Sequence, residues 1–426
     1  MRRQQSRRGA VRRPRRPLEL TRRDLVGAAL AGWVAARTVG PVEARTASQS
    51  TLDEATARLE YLTPPDSFFE FVREKPPIDR FTPDKARQVG LDRETWQLEV
   101  VPEAESDSKV ERPLSKERGT AMNWGQLMAL AEKKAVRFLK ILSCTNMPNP
   151  FGMGLWEGVP LREVIWLARP KENVRRVYYY GYHNDDPKQR FQASLSINRV
   201  LEDPPGELPV ILCYKLNGQW LSLRSGGPVR MIVPEAYGNK DVKWLQRIVL
   251  TNSFKANDTY AESNNDVESP MKTFARFLDP PRQMRAGVPV PLVGLAHVGA
   301  SGLSKVQYLV QADGSPVPPG DPYLTTADWK DAEILPPPKN WGGGLPDGRL
   351  PPVPLQFDPA SGRPRHWPLR YAIAHWACLL EVPKAGRYRL RCRTIDSNGI
   401  SQPMPRPFPR SGNNAIHETL LEVTDK

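Results

Sequence analysis

One cysteine of this chain stands where a protein thiolate could bind a metal or a cofactor. Cys144 follows residues 136–143, which have the pattern of a β-strand. Short polar side chains flank it, namely Ser143, Thr145 and Asn146. A thiol at the end of a strand can be presented to a ligand by the loop that follows. A lone cysteine is more often a small buried apolar side chain, so the role of Cys144 depends on the other motifs.

The other cysteines do not form a ligand set. Cys213, Cys378 and Cys392 lie far from Cys144 in the sequence, and none of the four belongs to a CxxC or CxxCH motif. A zinc ribbon, an iron–sulfur cluster and a covalently attached c-type haem are therefore not predicted. The spacing of Cys378 and Cys392 leaves open whether they form a disulfide.

The elements that must position Cys144 alternate between strands and helices. Strand patterns occupy residues 96–101, 136–143, 176–182 and 210–214, helical patterns occupy 124–134 and 161–168, and a final strand pair is predicted at 229–233 and 246–251. Alternating elements of both kinds predict a mixed α/β or α+β domain with Cys144 at a strand end.

The composition changes after residue 285 to proline, glycine and short strand patterns. Runs at residues 306–311, 376–382 and 388–393 are typical of a β-sandwich. Residues 312–368 form a Pro/Gly-rich insertion without a core pattern, which we interpret as an ordered surface excursion or a linker.

Most of the positive charge of the chain is at its N-terminus. The 426 residues have a formal net charge of +14, and residues 1–23 carry ten arginines against the single acid Glu19. Subtracting this local +9 from +14 leaves +5 for the rest of the chain. No basic stripe with interleaved aromatic residues follows, so a nucleic acid is only a weak alternative as partner.

The N-terminal segment has the order of a twin-arginine export signal. Arg22 and Arg23 precede an uncharged run at residues 25–36, and a stretch with small residues continues to Ala47. The run is shorter than the ~20 apolar residues that cross a membrane, so residues 1–47 are predicted to be a signal peptide and not a stable anchor. The other interpretation is an arginine-rich tail before a core helix. A twin-arginine signal predicts a periplasmic protein that folds around a cofactor before export.

Four ordered motifs resemble the molybdopterin domain of the sulfite oxidase family. They are the Cys144 loop, WEGVPL at residues 156–161, CYKLNG at 213–218, and the stretch from GGPVR at 226–230 to KDVKWL at 240–245. The resemblance implies an α+β protein. A mixed α/β molybdopterin-binding domain at residues 48–285 would precede an immunoglobulin-like dimerisation domain at 286–426, a β-sandwich that carries the 312–368 insertion.

The resemblance also implies roles for individual residues near the metal. Cys144 matches the thiolate that binds molybdenum, which suits a soft ligand. Tyr214 matches the active-site tyrosine beside the oxo group, and a core tyrosine at a strand end is the less favoured interpretation. Sulfite oxidases hold their dianionic substrate with several arginines, but residues 147–150 read MPNP after the cysteine. Arg73 therefore remains as the candidate substrate arginine.

The remaining matches are contacts to the pterin and its phosphate. A phosphate needs directed donors, which an arginine fork, a lysine and backbone N–H groups supply. Surface charge is the plainer interpretation of the same basic residues. The matched residues are Phe69, Glu70, Ser225, Arg230, Asp241, Val242 and Lys243.

The resemblance implies an exported molybdopterin-dependent oxidoreductase with one molybdenum per chain. Its reaction would be two-electron oxygen-atom transfer, with sulfite or a related small sulfur compound as the substrate. The sequence contains no haem or flavin motif, so electrons would pass to an external carrier, for which we expect a cytochrome c. The family resemblance also implies a homodimer.

Two other functions stay open at this point. The neutral residues after Cys144 and the SFFEFV segment at residues 67–72 resemble the branch of the family that reduces methionine sulfoxide. A β-sandwich binding protein that has lost its cofactor is the third interpretation. Retention of Cys144, Arg230 and Lys243 argues against this third interpretation.

The export prediction can be tested with paired lysine substitutions. Arg22→Lys with Arg23→Lys keeps the charge but removes the arginine pair, so we expect folded protein to stay in the cytoplasm. Arg12→Lys with Arg13→Lys is the matched control and should leave export unchanged. The measurement is the share of the protein in the periplasmic fraction, and normal export of the Arg22/Arg23 variant would refute the prediction.

Overall fold

The computed structural model describes residues 41–68, 78–182, 191–256, 258–403 and 410–425, and for residues 41–48 it describes the backbone alone. The predicted export motif lies outside the described residues. The same holds for three candidate site residues, Phe69, Glu70 and Arg73.

Five α-helices lie in the described part of the chain: α1 Pro41–Ala57, α2 Pro83–Gln88, α3 Trp124–Lys134, α4 Leu161–Ala168 and α5 Ile197–Leu201. Both predicted helices, α3 and α4, are confirmed. Helix α3 begins with a capping box, because the Asn123 side chain accepts a hydrogen bond from the Gln126 N–H and the Gln126 side chain accepts one from the Asn123 N–H.

The strands over the described residues are β1 Gln97–Pro102, β2 Met122–Asn123, β3 Val136–Leu142, β4 Gly152–Pro160, β5 Arg176–Gly181, β6 Gln192–Ser196, β7 Ile211–Leu216, β8 Gln219–Trp220, β9 Arg230–Ile232, β10 Leu245–Thr251, β11 Phe274–Leu278, β12 Gln283–Arg285, β13 Val290–His297, β14 Lys305–Ala312, β15 Lys330–Ile334, β16 Ile373–Leu380, β17 Gly386–Ile395 and β18 His417–Thr424. The strand patterns of the sequence are confirmed to within a few residues.

The first sheet has the strand order β2-β1-β10-β5-β6. Its one parallel pair joins β1 to β10, with Glu99 beside Arg247. Val100, Tyr179 and Ile248 are fully buried in a core that also takes the apolar face of helix α4. The first sheet and its helices therefore form the layered α/β part of the molecule.

The second sheet has the order β3-β4-β7-β8, with β9 paired to β7. Along the β3–β4 pair, Val136 lies opposite Gly158 and Leu142 lies opposite Gly152. The prediction that residues 229–233 pair with 246–251 is wrong, because β9 pairs with β7 while β10 pairs with β1 and β5. Successive backbone turns at residues 233–241 carry the chain from the second sheet to the first.

The third sheet contains eight strands in the order β11-β13-β16-β15-β14-β17-β18-β12. It curls on itself, because the Phe277 N–H of β11 donates to Nδ1 of His417 in β18, at 3.0 Å. The curl encloses an apolar core with Trp376 and Leu390 fully buried. Strands β11 and β12 precede residue 286, so this sheet begins earlier in the chain than the predicted second domain.

The Pro/Gly-rich insertion is ordered and contributes to the core, which its composition did not indicate. Strand β15 belongs to the third sheet, and the side chains of Trp341, Leu345 and Phe357 are buried. They pack with Tyr61 and Leu62, which precede the α/β part in sequence. The insertion therefore acts as a cover and not as a linker.

The second and third sheets share a core. Leu139 and Ile141 of β3 pack in one apolar cluster with Leu295 and Ile373 of the third sheet. The Ile141 N–H also donates to the Tyr371 carbonyl at 2.8 Å. These contacts fix the end of β3 that leads to Cys144. No helix in the described ranges is both long enough and apolar enough to cross a membrane.

The Asn217 side chain joins three segments and should be needed for stability. It is buried, its Oδ1 accepts from the Leu155 N–H, and its Nδ2 donates to the carbonyls of Thr63 and Gly343, each at 2.9 Å. Asn217→Ala leaves these backbone groups buried without their partner, so the free energy of unfolding should fall by at least ~2 kcal/mol.

Asn173→Ala is the matched control for Asn217→Ala. The Asn173 amide also joins two backbone groups, Lys109 N–H and Asp107 C=O, but at an exposed position where water can replace it. Urea denaturation should show a fall below ~1 kcal/mol for the control. Equal losses in both variants would contradict the proposed role of Asn217.

Candidate functional site

Cys144 lies on an open loop at the end of β3. It follows Leu142 by two residues, it is partly exposed, and its Sγ donates to the Asn146 amide oxygen at 2.6 Å. The loop closes where the Phe151 N–H donates to the Leu142 carbonyl at 2.7 Å. The predicted placement of Cys144 at a strand end is confirmed.

Two buried hydroxyl groups flank the thiol without hydrogen-bond partners. Ser143 and Thr145 are 1% and 3% exposed, and neither Oγ nor Oγ1 meets a partner in the described structure. Buried polar groups are nearly always paired in proteins, so two unpaired hydroxyls beside one thiol indicate a site built for a polar ligand. The Asn239 amide oxygen is another of the buried polar atoms without a partner in the described residues.

A cavity of about 890 Å³ opens beside the Cys144 loop. The loop contributes Thr145 and Asn146, and the C-terminal part of the chain contributes Arg389, Arg391 and Asn414. Both arginines bind carboxylates, since Arg389 lies 2.7 Å and Arg391 3.1 Å from Glu418 oxygens. The cavity is of a size that binds small organic molecules.

A second group of candidate residues forms a cradle around Arg230. This arginine is buried, its Nη1 donates to the Ser225 carbonyl at 3.0 Å, and its Nε donates to the Asp241 carbonyl at 3.1 Å. The Met231 N–H donates to the Val242 carbonyl at 2.9 Å. The cradle therefore includes the predicted residues Ser225, Arg230, Asp241 and Val242.

Lys243 completes the cradle beside Gly226. A Cβ added to Gly226 would lie 2.8 Å from the Lys243 Cβ, and Gly226 has a φ of +94°, so a glycine is required there. The Lys243 Nζ donates to the Arg224 carbonyl at 2.8 Å. This lysine is half-buried at the rim of the cradle.

A buried ion pair joins the cradle to the Cys144 strand. Lys140 of β3 and Asp241 are both fully buried and in direct contact, and Asp241 also accepts from the Val233 N–H at 2.8 Å. Burial lowers the pKa of Lys140 and raises the pKa of Asp241, and the charge of each partner opposes these shifts. A second link is the Gly238 N–H, which donates to the Ser143 carbonyl at 2.7 Å.

Tyr214 does not belong to this site. It lies on β7 at the level of Glu157, whose partner on β3 is Arg137, whereas Cys144 follows the other end of β3. The two residues are thus separated by the length of β3, roughly 20 Å. Burial and the Glu157 carboxylate raise the pKa of the Tyr214 phenol, so it stays protonated in a structural role.

The prediction that Tyr214 adjoins the metal ligand is therefore not supported by the geometry. Tyr214 lies on a strand, β7, as the sequence predicts. The antiparallel register of β7 with β4, however, places this part of β7 far from Cys144.

Of the aromatic segment at residues 67–72, the structure describes only Ser67 and Phe68. Phe68 is buried, and a Cβ on Gly152 would lie 2.8 Å from its ring. Gly152 is the partner of Leu142, so Phe68 packs at the Cys144 end of the second sheet. Phe69, Glu70 and Arg73 stay predictions.

Lys140 was not among the predicted site residues, although the sequence contains a signal for it. Lys140 is the only charged residue among the last five positions of the apolar strand β3, all of which are buried. A lysine at such a position requires a buried carboxylate partner. Within the described residues no group of three His, Cys, Asp or Glu side chains is placed to hold a metal ion.

Part of the chain is similar to known proteins. The family model of the oxidoreductase molybdopterin-binding domain matches residues 86–259. The mitochondrial sulfite oxidase of Drosophila melanogaster is 34% identical over 116 residues, which are 27% of this chain and 19% of that protein. An NADPH nitrate reductase of Beauveria bassiana is 33% identical over 98 residues, which are 23% of this chain and 10% of that protein.

A solved structure resembles nearly the whole chain. The sulfane dehydrogenase SoxCD of Paracoccus pantotrophus has a TM-score of 0.55 and 16% identity, and the match covers 87% of this chain and 90% of that one. This likeness concerns the fold. The matched regions span only 10% and 19% of the two curated relatives named above.

The match of residues 86–259 supports a molybdopterin-binding oxidoreductase domain within this mixed α/β fold. The matched domain and the similarity to a sulfite oxidase support the sulfite oxidase family of molybdopterin oxidoreductases. The residues present fit such a cofactor, since the Cys144 thiol, which could serve as a soft ligand, lies between unpaired buried hydroxyls and is joined to a cradle that holds the cations of Arg230 and Lys243.

Replacement of Lys140 should destabilise the protein by leaving the Asp241 charge buried and unpaired. Lys140→Met is expected to lower the free energy of unfolding by about 3–5 kcal/mol. The loss should shrink as the pH falls, because an unpaired buried carboxyl has a raised pKa and binds a proton instead of bearing a charge. Urea denaturation at several pH values is the measurement.

Two further variants control the Lys140 experiment. Lys305→Met removes an exposed ion pair with Asp331, of 2.9 Å, and should cost less than ~1 kcal/mol. Adding Asp241→Asn to Lys140→Met should restore part of the stability, because the charge is removed and an acceptor for the Val233 N–H remains. A pH-independent loss, or no recovery in the double variant, would argue against the buried ion pair.

Proposed function

We propose that Cys144 binds the molybdenum of one molybdopterin cofactor per chain. The observation that supports this most is the thiol at the end of β3 between the unpaired buried hydroxyls of Ser143 and Thr145. When bound, the cofactor supplies two-electron redox chemistry and oxygen-atom transfer. The protein would hold the group by the Cys144 thiolate, with the buried hydroxyls of Ser143 and Thr145 on neighbouring residues.

The cradle is the proposed site of the pterin and its phosphate. The Arg230 guanidinium provides a cation that backbone carbonyls hold in place, and Lys243 provides a second cation at the rim. Ser225 and Asp241 would act by positioning Arg230 through their carbonyls, and the Val242 carbonyl accepts from the Met231 N–H. The Asp241 carboxylate is occupied by Lys140. Phe69 and Glu70 are proposed as further contacts on the basis of the sequence.

The proposed reaction is the oxidation of sulfite or a related sulfur compound. The names of two relatives, a sulfite oxidase and a sulfane dehydrogenase, favour a sulfur substrate. Arg389 and Arg391 place guanidinium groups in the lining of the cavity beside Cys144, and Arg73 is a third candidate from the sequence. These cations would bind an oxyanion and orient it toward the thiolate-bound metal.

Reduction of a sulfoxide is the alternative that one observation favours. The cavity arginines share Glu418, and the exposed residues after Cys144 carry no charge. A neutral substrate does not need an unpaired cation. A binding protein without a cofactor is opposed by the unpaired hydroxyls beside Cys144, which such a protein would not need.

The setting of the enzyme is proposed from the sequence. We propose twin-arginine export to the periplasm, electron transfer to an external carrier such as a cytochrome c, and a homodimer. The curled third sheet, which encloses its own core, supports an immunoglobulin-like assignment of the dimerisation domain.

Cys144→Ser tests the metal assignment. A hydroxyl is a poor ligand for a soft metal site, so turnover should fall by more than ~1,000-fold, a loss of over ~4 kcal/mol in transition-state stabilisation, while the fold stays intact. The measurements are turnover, bound molybdenum per chain and the midpoint of thermal unfolding. Cys378→Ser, at a half-buried cysteine of β16 in the third sheet, is the matched control. Activity within a few-fold of wild type in Cys144→Ser would refute the assignment.

Turnover by the wild-type holoenzyme distinguishes oxidation of sulfite from reduction of a sulfoxide. Sulfite with an artificial electron acceptor tests the oxidase, and a sulfoxide with a reduced viologen tests the reductase. Sulfoxide turnover without sulfite turnover would replace the first proposal by the second. Absence of bound molybdenum after expression in a host that makes the cofactor would support the binding protein.

A further inference from the structure

The exposed side chain of Trp220 marks a surface that the proposed chemistry does not use. Trp220 lies on β8, the two-residue strand at the edge of the second sheet, and it is 45% exposed. Its ring centroid is 5.8 Å from that of Tyr214 and 5.5 Å from that of Trp124. The indole is therefore held by aromatic neighbours and yet open to solvent.

Two cations lie over this indole. The Lys215 Nζ is 4.4 Å from the ring centroid of Trp220, and the guanidinium carbon of Arg93 is 5.3 Å from it. Lys215 pairs with Glu157, but the same carboxylate also pairs with Arg137. Arg93 is exposed and has no ion pair over the described ranges. We call this positively charged surface the Trp220 patch, formed by Arg93, Trp124, Lys215 and Trp220.

The composition of the Trp220 patch is that of an interaction surface. Single exposed apolar residues are ordinary, but tryptophan and arginine are enriched among the few residues that carry most of the binding energy of protein interfaces. The cations and the aromatic neighbours hold the indole in one position, so little conformational entropy is lost when a partner binds. The unpaired charge of Arg93 favours a partner with an acidic face.

The Trp220 patch is directly connected to the cradle. The Leu221 N–H donates to the Tyr214 carbonyl at 3.0 Å, and the Ser222 Oγ accepts from the Ser225 N–H at 3.2 Å. Ser225 in turn holds Arg230. The patch therefore lies outside the cradle, at the end of the second sheet opposite to Cys144 and its cavity.

We propose that the Trp220 patch is the docking surface for the electron carrier, a one-electron redox protein with an acidic face. This inference rests on the proposed function. With sulfite, the balance is sulfite and water to sulfate, two protons and two electrons, and two oxidised carrier molecules each accept one electron. A carrier on this surface approaches from the cradle side and leaves the cavity free for substrate.

The test uses the holoenzyme and an acidic c-type cytochrome, with a basic one for comparison. Titration calorimetry should show that Arg93→Glu and Trp220→Ser each raise the Kd for the acidic cytochrome roughly tenfold or more. The effect of Arg93→Glu should fade at high salt, and that of Trp220→Ser should persist. Arg282→Glu, at an exposed arginine between β11 and β12, is the charge-matched control and should stay within twofold.

Turnover with a small artificial acceptor should be unchanged in all three variants. An unchanged Kd in Arg93→Glu and Trp220→Ser would overturn the proposal, as would stronger binding of the basic cytochrome or of a single-stranded oligonucleotide. Dissociation of a dimer by Trp220→Ser would assign the patch to a second copy of the chain and also overturn it. If the wild-type holoenzyme fails with the small acceptor, the proposed function is wrong, whereas the Kd values still test the docking surface.

Discussion

The buried contact between Lys140 and Asp241 is the interaction on which the arrangement of the site depends. Lys140 belongs to the strand that ends at the thiol, and Asp241 holds Arg230 through its carbonyl. Both charges are removed from water, which is tolerable only because they meet each other and because Asp241 also binds the Val233 N–H. The pair therefore fixes the cradle relative to Cys144 across two segments that are a hundred residues apart in the sequence.

Local patterns predicted the elements of the fold better than their pairing. Helix α3 was predicted over residues 124–134 and has these bounds, because its period and its capping box are encoded within a few neighbouring residues. The pairing of residues 229–233 with 246–251 was wrong, because the turns between β9 and β10 and the partners on two sheets are set by distant contacts. Strand patterns indicate which residues face the same side of a sheet, but they do not indicate which strands are neighbours.

In the candidate site too, features set by neighbouring residues could be predicted, whereas features set by distant contacts could not. Cys144 and the cradle residues could be found from motifs, because each motif carries its own donors within a few positions. The structure adds that Asp241 uses its carboxylate for Lys140 and only its backbone for the cradle. Tyr214 was misplaced because its distance from Cys144 depends on the register of three strands. The core role of Trp341 was hidden by the proline and glycine residues around it.

The second sheet gives the site two sides with different properties. At the Cys144 end, the cavity is lined by amides, hydroxyls and arginines that share a carboxylate, which suits a small polar substrate. At the opposite end, Tyr214 is protonated and buried beneath Trp220, so this end offers an aromatic and cationic surface and no reactive group. The cradle lies between the two ends, joined to one by Lys140 and to the other by Ser222 and Ser225. In the proposed function the substrate would reach the metal from the cavity at the Cys144 end and the electron carrier would bind at the opposite end, so the two partners would not compete for the same surface.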